Sequence, residues 1–198
     1  MATIDRALIQ QLRELTGLGM MDCRKALEET GGDVEKAVEL LRKKGAAVAA
    51  KRATKATAEG LVHSYIHPGA QIGVMVELNC ETDFVARTDA VRDFAHDLCL
   101  HITALKPLYL APEDVDPKFL EHEKDILKEQ LVDSGKPPKI IDQIVEGKVN
   151  KLYSEVCLLK QSFVKNDQMT VEQVLQDLMG KLGENIKVKR FARFEVGS

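Results

Sequence analysis

The residue types that could do chemistry in this chain are four cysteines, five histidines and one short polar run around a phenylalanine. Cys23, Cys80, Cys99 and Cys157 lie 57, 19 and 58 residues apart. No CxxC pair exists, so a zinc ribbon is excluded and a disulfide framework is not indicated. Buried thiols in a reducing compartment are the simpler reading. A nucleophilic Cys80 would need a histidine brought near in space, because no base stands beside it in sequence. His63 and His67 could share one side of a strand and its following turn, but two histidines without a third ligand are too few for a metal site. Gly135-Lys136-Pro137 and Gly180-Lys181-Leu182 lack both the glycine spacing and the Ser/Thr of a phosphate-cradling loop. GxSxG, HExxH and GxGxxG do not occur. The residues therefore point to no catalytic group, no metal and no cofactor.

What remains is Asn79-Cys80-Glu81-Thr82-Asp83-Phe84-Val85-Ala86-Arg87, the link between two strands and a long helix. Thr82 or Asp83 could cap that helix while Phe84 or Val85 enters the core. Alternatively, an aromatic at a strand-to-helix corner projects as a wedge with a carboxylate beside it. Composition alone favours the first reading.

The elements that must position these residues follow from periodicity. Ile4, Ala7, Leu8, Leu12 and Leu15 recur at helical spacing, and Thr16-Gly17-Leu18-Gly19 stops that helix. Met20 to Thr30 carries Met21, Arg24, Lys25 and Leu27 on a second helical pattern. Asp33 can cap a third, with Val34, Ala37, Val38 and Leu41 as apolar positions. Residues 1–42 thus read as a three-helix bundle. Arg42 to Lys55 holds six basic residues and no acidic one, so 43–59 reads as an exposed helical linker.

Residues 60–198 read as a core domain. Two alternating runs, 60–66 and 71–79, flank His67-Pro68-Gly69-Ala70 as a hairpin, and 186–196 alternates as a third strand. Phe84 to Leu105 is helical, with Phe84, Val85, Val91, Phe94, Ala95, Leu98 and Ile102 available to the core, and Pro107 ends it. Residues 113–160 read as a projecting antiparallel helical hairpin turned at 134–138. A last helix spans Thr170 to Leu182. The expected class is α+β, a helical bundle followed by a three-stranded antiparallel sheet with packed helices.

The net charge is −3, from 28 Lys+Arg against 31 Asp+Glu, which gives no global attraction to nucleic acid. No stretch reaches the roughly 18 apolar residues of a membrane span, and Leu98 to Leu110 is interrupted by His101, Lys106 and Pro107. The N-terminal residues lack a basic-then-apolar signal, so the cytoplasm is expected.

Leu12-Arg13-Glu14-Leu15-Thr16-Gly17-Leu18-Gly19-Met20-Met21-Asp22-Cys23-Arg24-Lys25-Ala26-Leu27 resembles the N-terminal signature of the elongation factor Ts family. Asn79 to Arg87, with Thr82-Asp83-Phe84-Val85 at its centre, His67 to Val74, and the closing Arg193-Phe194-Glu195-Val196-Gly197 are similar to it too, in the same order along the chain. The resemblance implies a guanine-nucleotide exchange factor of elongation factor Tu, the GTPase that delivers aminoacyl-tRNA to the ribosome. It implies that Asp83 and Phe84 push into the nucleotide domain of that GTPase, disturb its magnesium site and phosphate-binding loop, and release GDP. Thr82 and Val85 flank the wedge. Arg13, Met20, Met21 and Arg24 match the positions by which the bundle docks, and His67 matches a further contact. No direct contact with nucleotide, nucleic acid or membrane is implied.

Two residues depart from the pattern: Gln10 stands where some relatives carry a basic contact, and Ser162 replaces a proline common in relatives. Long members carry two related core halves and this chain has one, which implies a homodimer and a 2:2 complex with the GTPase. A competing reading is a ubiquitin-associated-type adaptor, suggested by a three-helix bundle with a Gly-Met loop. It leaves Thr82 to Val85 and the closing strand unexplained.

Overall fold

A computed structural model describes residues 4–132 and 137–197. Helices α1 (Arg6–Thr16), α2 (Met20–Glu29) and α3 (Val34–Arg52) lead into strands β1 (Glu59–Ile66) and β2 (Ile72–Cys80). The short α4 (Asp83–Ala86) and the longer α5 (Asp89–Leu105) follow, then α6 (Pro117–Val132) and α7 (Pro138–Val156). The last elements are β3 (Ser162–Phe163), β4 (Asn166–Thr170), α8 (Val171–Leu182) and β5 (Ile186–Glu195). The class is α+β, as expected. The chain divides into two compact units: Met1–Leu61 with Asn79–Val91 and Leu175–Lys187, and Val62–Leu78 with Arg92–Val174 and Val188–Ser198.

In the first unit, Asp5 starts α1 by accepting from the Ala7 amide, and Asp33 starts α3 by accepting from the Lys36 amide. Both satisfy backbone donors that a helix leaves unpaired. Gly17, in the left-handed region at φ 67°, ends α1, a conformation that costs glycine little. Leu12, Cys23, Ala26, Leu27, Ala37 and Leu41 form the bundle core. Leu15, expected on the buried face, is instead 63% exposed. The buried stripe of α1 passes through Leu8 and Leu12 towards Thr16, whose hydroxyl bonds back to the Leu12 carbonyl. Leu15 lies to one side of that stripe. α3 runs unbroken to Arg52, so residue 42, read as the end of the bundle, lies inside a helix.

The three-stranded sheet has the order β1-β2-β5. The His67 amide donates to the Ile72 carbonyl to close the hairpin. β5 runs antiparallel to β2, because the Val196 amide reaches the Gln71 carbonyl while Arg190 pairs with Glu77. In the second unit, β2 buries Val74, Val76 and Leu78, and α5 buries Phe94, Ala95, Leu98, Cys99 and Ile102.

The helix expected from Phe84 to Leu105 is two helices, broken at Arg87 and Thr88. Thr88 Oγ1 donates to the Val85 carbonyl and accepts from the Val91 amide, closing one helix and opening the next. Phe84 is therefore not part of a core stripe. α6 and α7 form the expected helical hairpin; of the turn at 134–138, residues 134–136 lie outside the described residues. A small β3–β4 ladder pairs Ser162–Phe163 with Asn166–Thr170; β3 has two residues, too few to carry an alternation to read.

Candidate partner-binding site

β2 delivers the chain to Thr82, which caps α4: its Oγ1 accepts from the Val85 amide at 3.4 Å. α4 is a single turn, and a single turn has two sides. Ala86 is buried on one, while Phe84 on the other is 80% exposed. Thr82 thus caps the turn, and Phe84 projects to solvent rather than entering the core. Burial of a phenylalanine is worth about 1.5–3 kcal/mol, and Phe84 forgoes most of it. Val85 is half-buried. Beside the ring, the Asp83 carboxylate pairs with Arg87 at 2.9 Å. An i,i+4 pair this exposed is worth only about 0.3–0.5 kcal/mol, so the carboxylate can exchange partners cheaply.

A second exposed surface lies where α1 turns into α2. Gly19 precedes α2, whose first residues Met20 and Met21 are exposed, as is Leu15 before them. Arg13 and Arg24 are exposed too, and Arg24 pairs with Glu28 at 2.8 Å. Flexible thioethers bordered by cations are side chains of the kind from which an adaptable contact can be built. Leu15 is exposed beside them, although periodicity places it on the buried face.

Thr82, Asp83, Phe84 and Val85 share the first unit with Arg13, Met20, Met21 and Arg24; His67 belongs to the second. There it sits exposed in the hairpin turn, its Nδ1 3.1 Å from the Tyr65 hydroxyl. His63 does not pair with His67. Its Nε2 lies 3.3 Å from Nδ1 of His96, and burial, followed by the neighbouring His96, holds its pKa below the usual value. Among the described residues, no cluster of three or more His, Cys, Asp or Glu side chains is placed to hold a metal ion.

Cys80 ends β2 as a fully buried thiol. Burial and, after it, the Glu184 carboxylate push its pKa up to about 11. It is protonated at neutral pH and poorly suited to nucleophilic attack.

The sequence reading missed the residues that hold the corner. Glu184 accepts from the Thr82 amide and hydroxyl, and Glu81 accepts from Arg52 and from the Asn185 amide. The partners in the first and last of these contacts are 102 and 104 residues apart. No local pattern links them.

A family model described as Elongation factor TS matches residues 5–198. The chain is 53% identical over 197 residues to Elongation factor Ts of Desulfitobacterium hafniense, covering all of this chain and 91% of that protein. Elongation factor Ts of Carboxydothermus hydrogenoformans is 50% identical over 194 residues, covering 98% of this chain and 89% of that one. For the Moorella thermoacetica protein of the same name, the figures are 53% over 194 residues, 98% and 96%.

Proposed function

The chain belongs to the elongation factor Ts family, and we propose from that premise that it is a guanine-nucleotide exchange factor acting on elongation factor Tu. The observation that carries this reading is Phe84, a large apolar ring left 80% exposed on a capped helical turn. In the exchange reaction, Asp83 and Phe84 enter the nucleotide domain of the GTPase, disturb its magnesium and phosphate-binding sites, and GDP leaves so that GTP can bind. Thr82 and Val85 hold the wedge at its base. Arg13, Met20, Met21 and Arg24 dock the bundle on the same GTPase domain, with His67 as a further contact.

No covalent step is needed. The factor works through differential affinity, so by linkage GDP weakens its binding as much as it weakens that of GDP. The nucleotide belongs to the partner, and the chain itself is not an enzyme. Residues 1–42 serve as the docking module, 43–59 as its connector and 60–198 as the core and dimerisation domain. Two copies pair to give a 2:2 complex in the cytoplasm. Among the described residues, no helix is long and apolar enough to cross a membrane.

The test is release of a fluorescent GDP from elongation factor Tu. The wild-type chain accelerates it. Phe84→Ala loses most of the acceleration while changing stability by no more than about 0.5 kcal/mol, as for other exposed sites. Arg13→Ala and Met20→Ala raise the concentration of factor needed for half-maximal release. A wild-type chain that leaves release unchanged overturns the proposal.

A further inference from the structure

Two carboxylates are exchanged between the loop before α4 and the turn after α8. Glu184 receives the Thr82 amide at 3.1 Å on Oε2 and the Thr82 hydroxyl at 2.8 Å on Oε1. In return, Glu81 receives the Asn185 amide at 2.7 Å and Arg52 Nη1 at 2.9 Å. The Asn185 side chain reaches on to the carbonyls of Ala53 (3.3 Å) and Lys55 (2.8 Å). The end of α3, the 81–82 segment and the 184–185 turn are thereby tied into one polar cluster within the first unit. Hydrogen bonds to ionised groups are about twice as strong as neutral ones, and partly buried ones are screened less than exposed ones.

The chemistry at Thr82 gives the cluster a direction. A hydroxyl has one proton and two lone pairs. With its proton committed to Glu184, the Thr82 oxygen has lone-pair density left for the Val85 amide, which it caps at 3.4 Å. That bond sets the start of α4, and Phe84 is the second residue of α4. Glu184 is thus linked through Thr82 and the Val85 amide to the helical turn that carries Phe84.

We propose that Glu184 is a positioning residue for nucleotide exchange. It fixes Thr82 so that Phe84 is presented in a single orientation, and Glu81 with Arg52 and Asn185 holds the same corner from the other side. This rests on the reading of Phe84 as the exchange wedge. A glutamine at 184 cannot reproduce the contact. Its amide has one acceptor oxygen where two are used, and its NH2 facing Thr82 would reverse the hydroxyl and weaken the Val85 cap.

Stimulated GDP release from elongation factor Tu is measured against factor concentration for wild type, Glu184→Gln, Thr82→Val, the double variant and Phe84→Ala. The expected result for Glu184→Gln is a maximal rate at least about tenfold lower, the scale of loss that small misplacements produce, with half-saturation within about twofold of wild type because the docking surface at Met20 and Met21 is untouched. The double variant is no slower than Thr82→Val, since residues acting through one another are not additive. Amide exchange at Val85 accelerates in Glu184→Gln, while exchange in the bundle core around Leu12 and Leu27 is unchanged. This separates loss of positioning from loss of fold. If Phe84→Ala abolishes stimulation while Glu184→Gln retains the wild-type maximal rate, the role of Glu184 is overturned and the wedge stands. Stimulation that survives Phe84→Ala overturns both. Additive losses in the double variant, or equal acceleration of exchange throughout the unit, also overturn the positioning role.

Discussion

Gly180 of α8 and Gly45 of α3 meet backbone to backbone. A Cβ on Gly180 would lie 2.8 Å from the Gly45 Cα, whereas one on Gly45 would lie 3.7 Å from the Gly180 Cα. The first is a clash with main chain and the second an ordinary contact. Gly180→Ala should therefore destabilise the protein, since overpacking costs about 1–3 kcal/mol and better helix propensity returns at most about 1 kcal/mol. Gly45→Ala gains the same propensity with no clash and should be neutral or stabilising by up to about 1 kcal/mol. Urea melts of the two variants check this, and equal destabilisation would show that the helices do not cross at this point.

That contact also marks where sequence reading stops. The three bundle helices, both hairpin strands and the closing strand were legible because each carries its own periodicity and its own turn residues. Thr82 is legible as a cap, whereas Asp83 and Phe84 stand out only through the resemblance to the family, since composition alone favours an apolar residue of that corner in the core. Leu15 was misassigned, because one apolar residue fits two adjacent helical stripes and only the packing of α1 selects Leu8 and Leu12. The break at Thr88 was missed because a mid-helix threonine looks like any other until its hydroxyl turns to the backbone. Glu184 was invisible for a different reason. Its partner Thr82 is 102 residues away, and a glutamate after a glycine has no pattern that singles it out.

His101 gives the fold a pH dependence. It is fully buried. Its Nδ1 accepts the Val164 amide at 3.1 Å, so its Nε2 carries the proton and donates to Gln161 at 2.8 Å. A second proton would have to sit on Nδ1, facing another donor. Burial holds its pKa below the ordinary 6.5, with the Gln161 bond opposing the shift. The unfolded chain therefore takes up a proton before the folded one does. Stability is complete above about pH 6.5 and falls as pH drops from there towards the folded-state pKa, by at most about 1.4 kcal/mol per pH unit for one group. His63, also lowered, adds in the same direction. Denaturant melts between about pH 5 and 7 should show this slope. His101→Gln should flatten it without abolishing it; an unchanged slope would assign the dependence elsewhere.

The four thiols should be silent in the native protein. Cys23, Cys80, Cys99 and Cys157 are all free and buried. Burial pushes Cys99 up to about 12, while burial and the Glu184 carboxylate push Cys80 up to about 11. Since only the thiolate attacks, a disulfide reagent at neutral pH should label all four at once in guanidinium, but in native buffer only at the rate of opening. Stoichiometric labelling of one thiol within the mixing time would contradict the burial of that residue.

The sheet offers the last prediction. Val62 and Ile66 of β1, Met75 of β2, Phe194 of β5 and the adjoining Val196 are exposed, with the Arg190–Glu77 pair among them at 2.6 Å. Monomeric proteins seldom leave so many large apolar side chains exposed on one sheet. A two-fold axis would cover the same patch on both copies. Phe194, 69% exposed, is the aromatic of this surface, and interface aromatics are the residues whose loss costs about 2 kcal/mol or more. Phe194→Asp should weaken self-association by at least about thirtyfold. In sedimentation at micromolar concentration, the wild type should run as a dimer and the variant as a monomer. The same variant should make the melting temperature independent of protein concentration, because dissociation no longer accompanies unfolding. A wild type that sediments as a monomer at tens of micromolar would remove the dimer, and with it the 2:2 stoichiometry. The role proposed for Phe84 would be untouched, because that residue stands in the other unit.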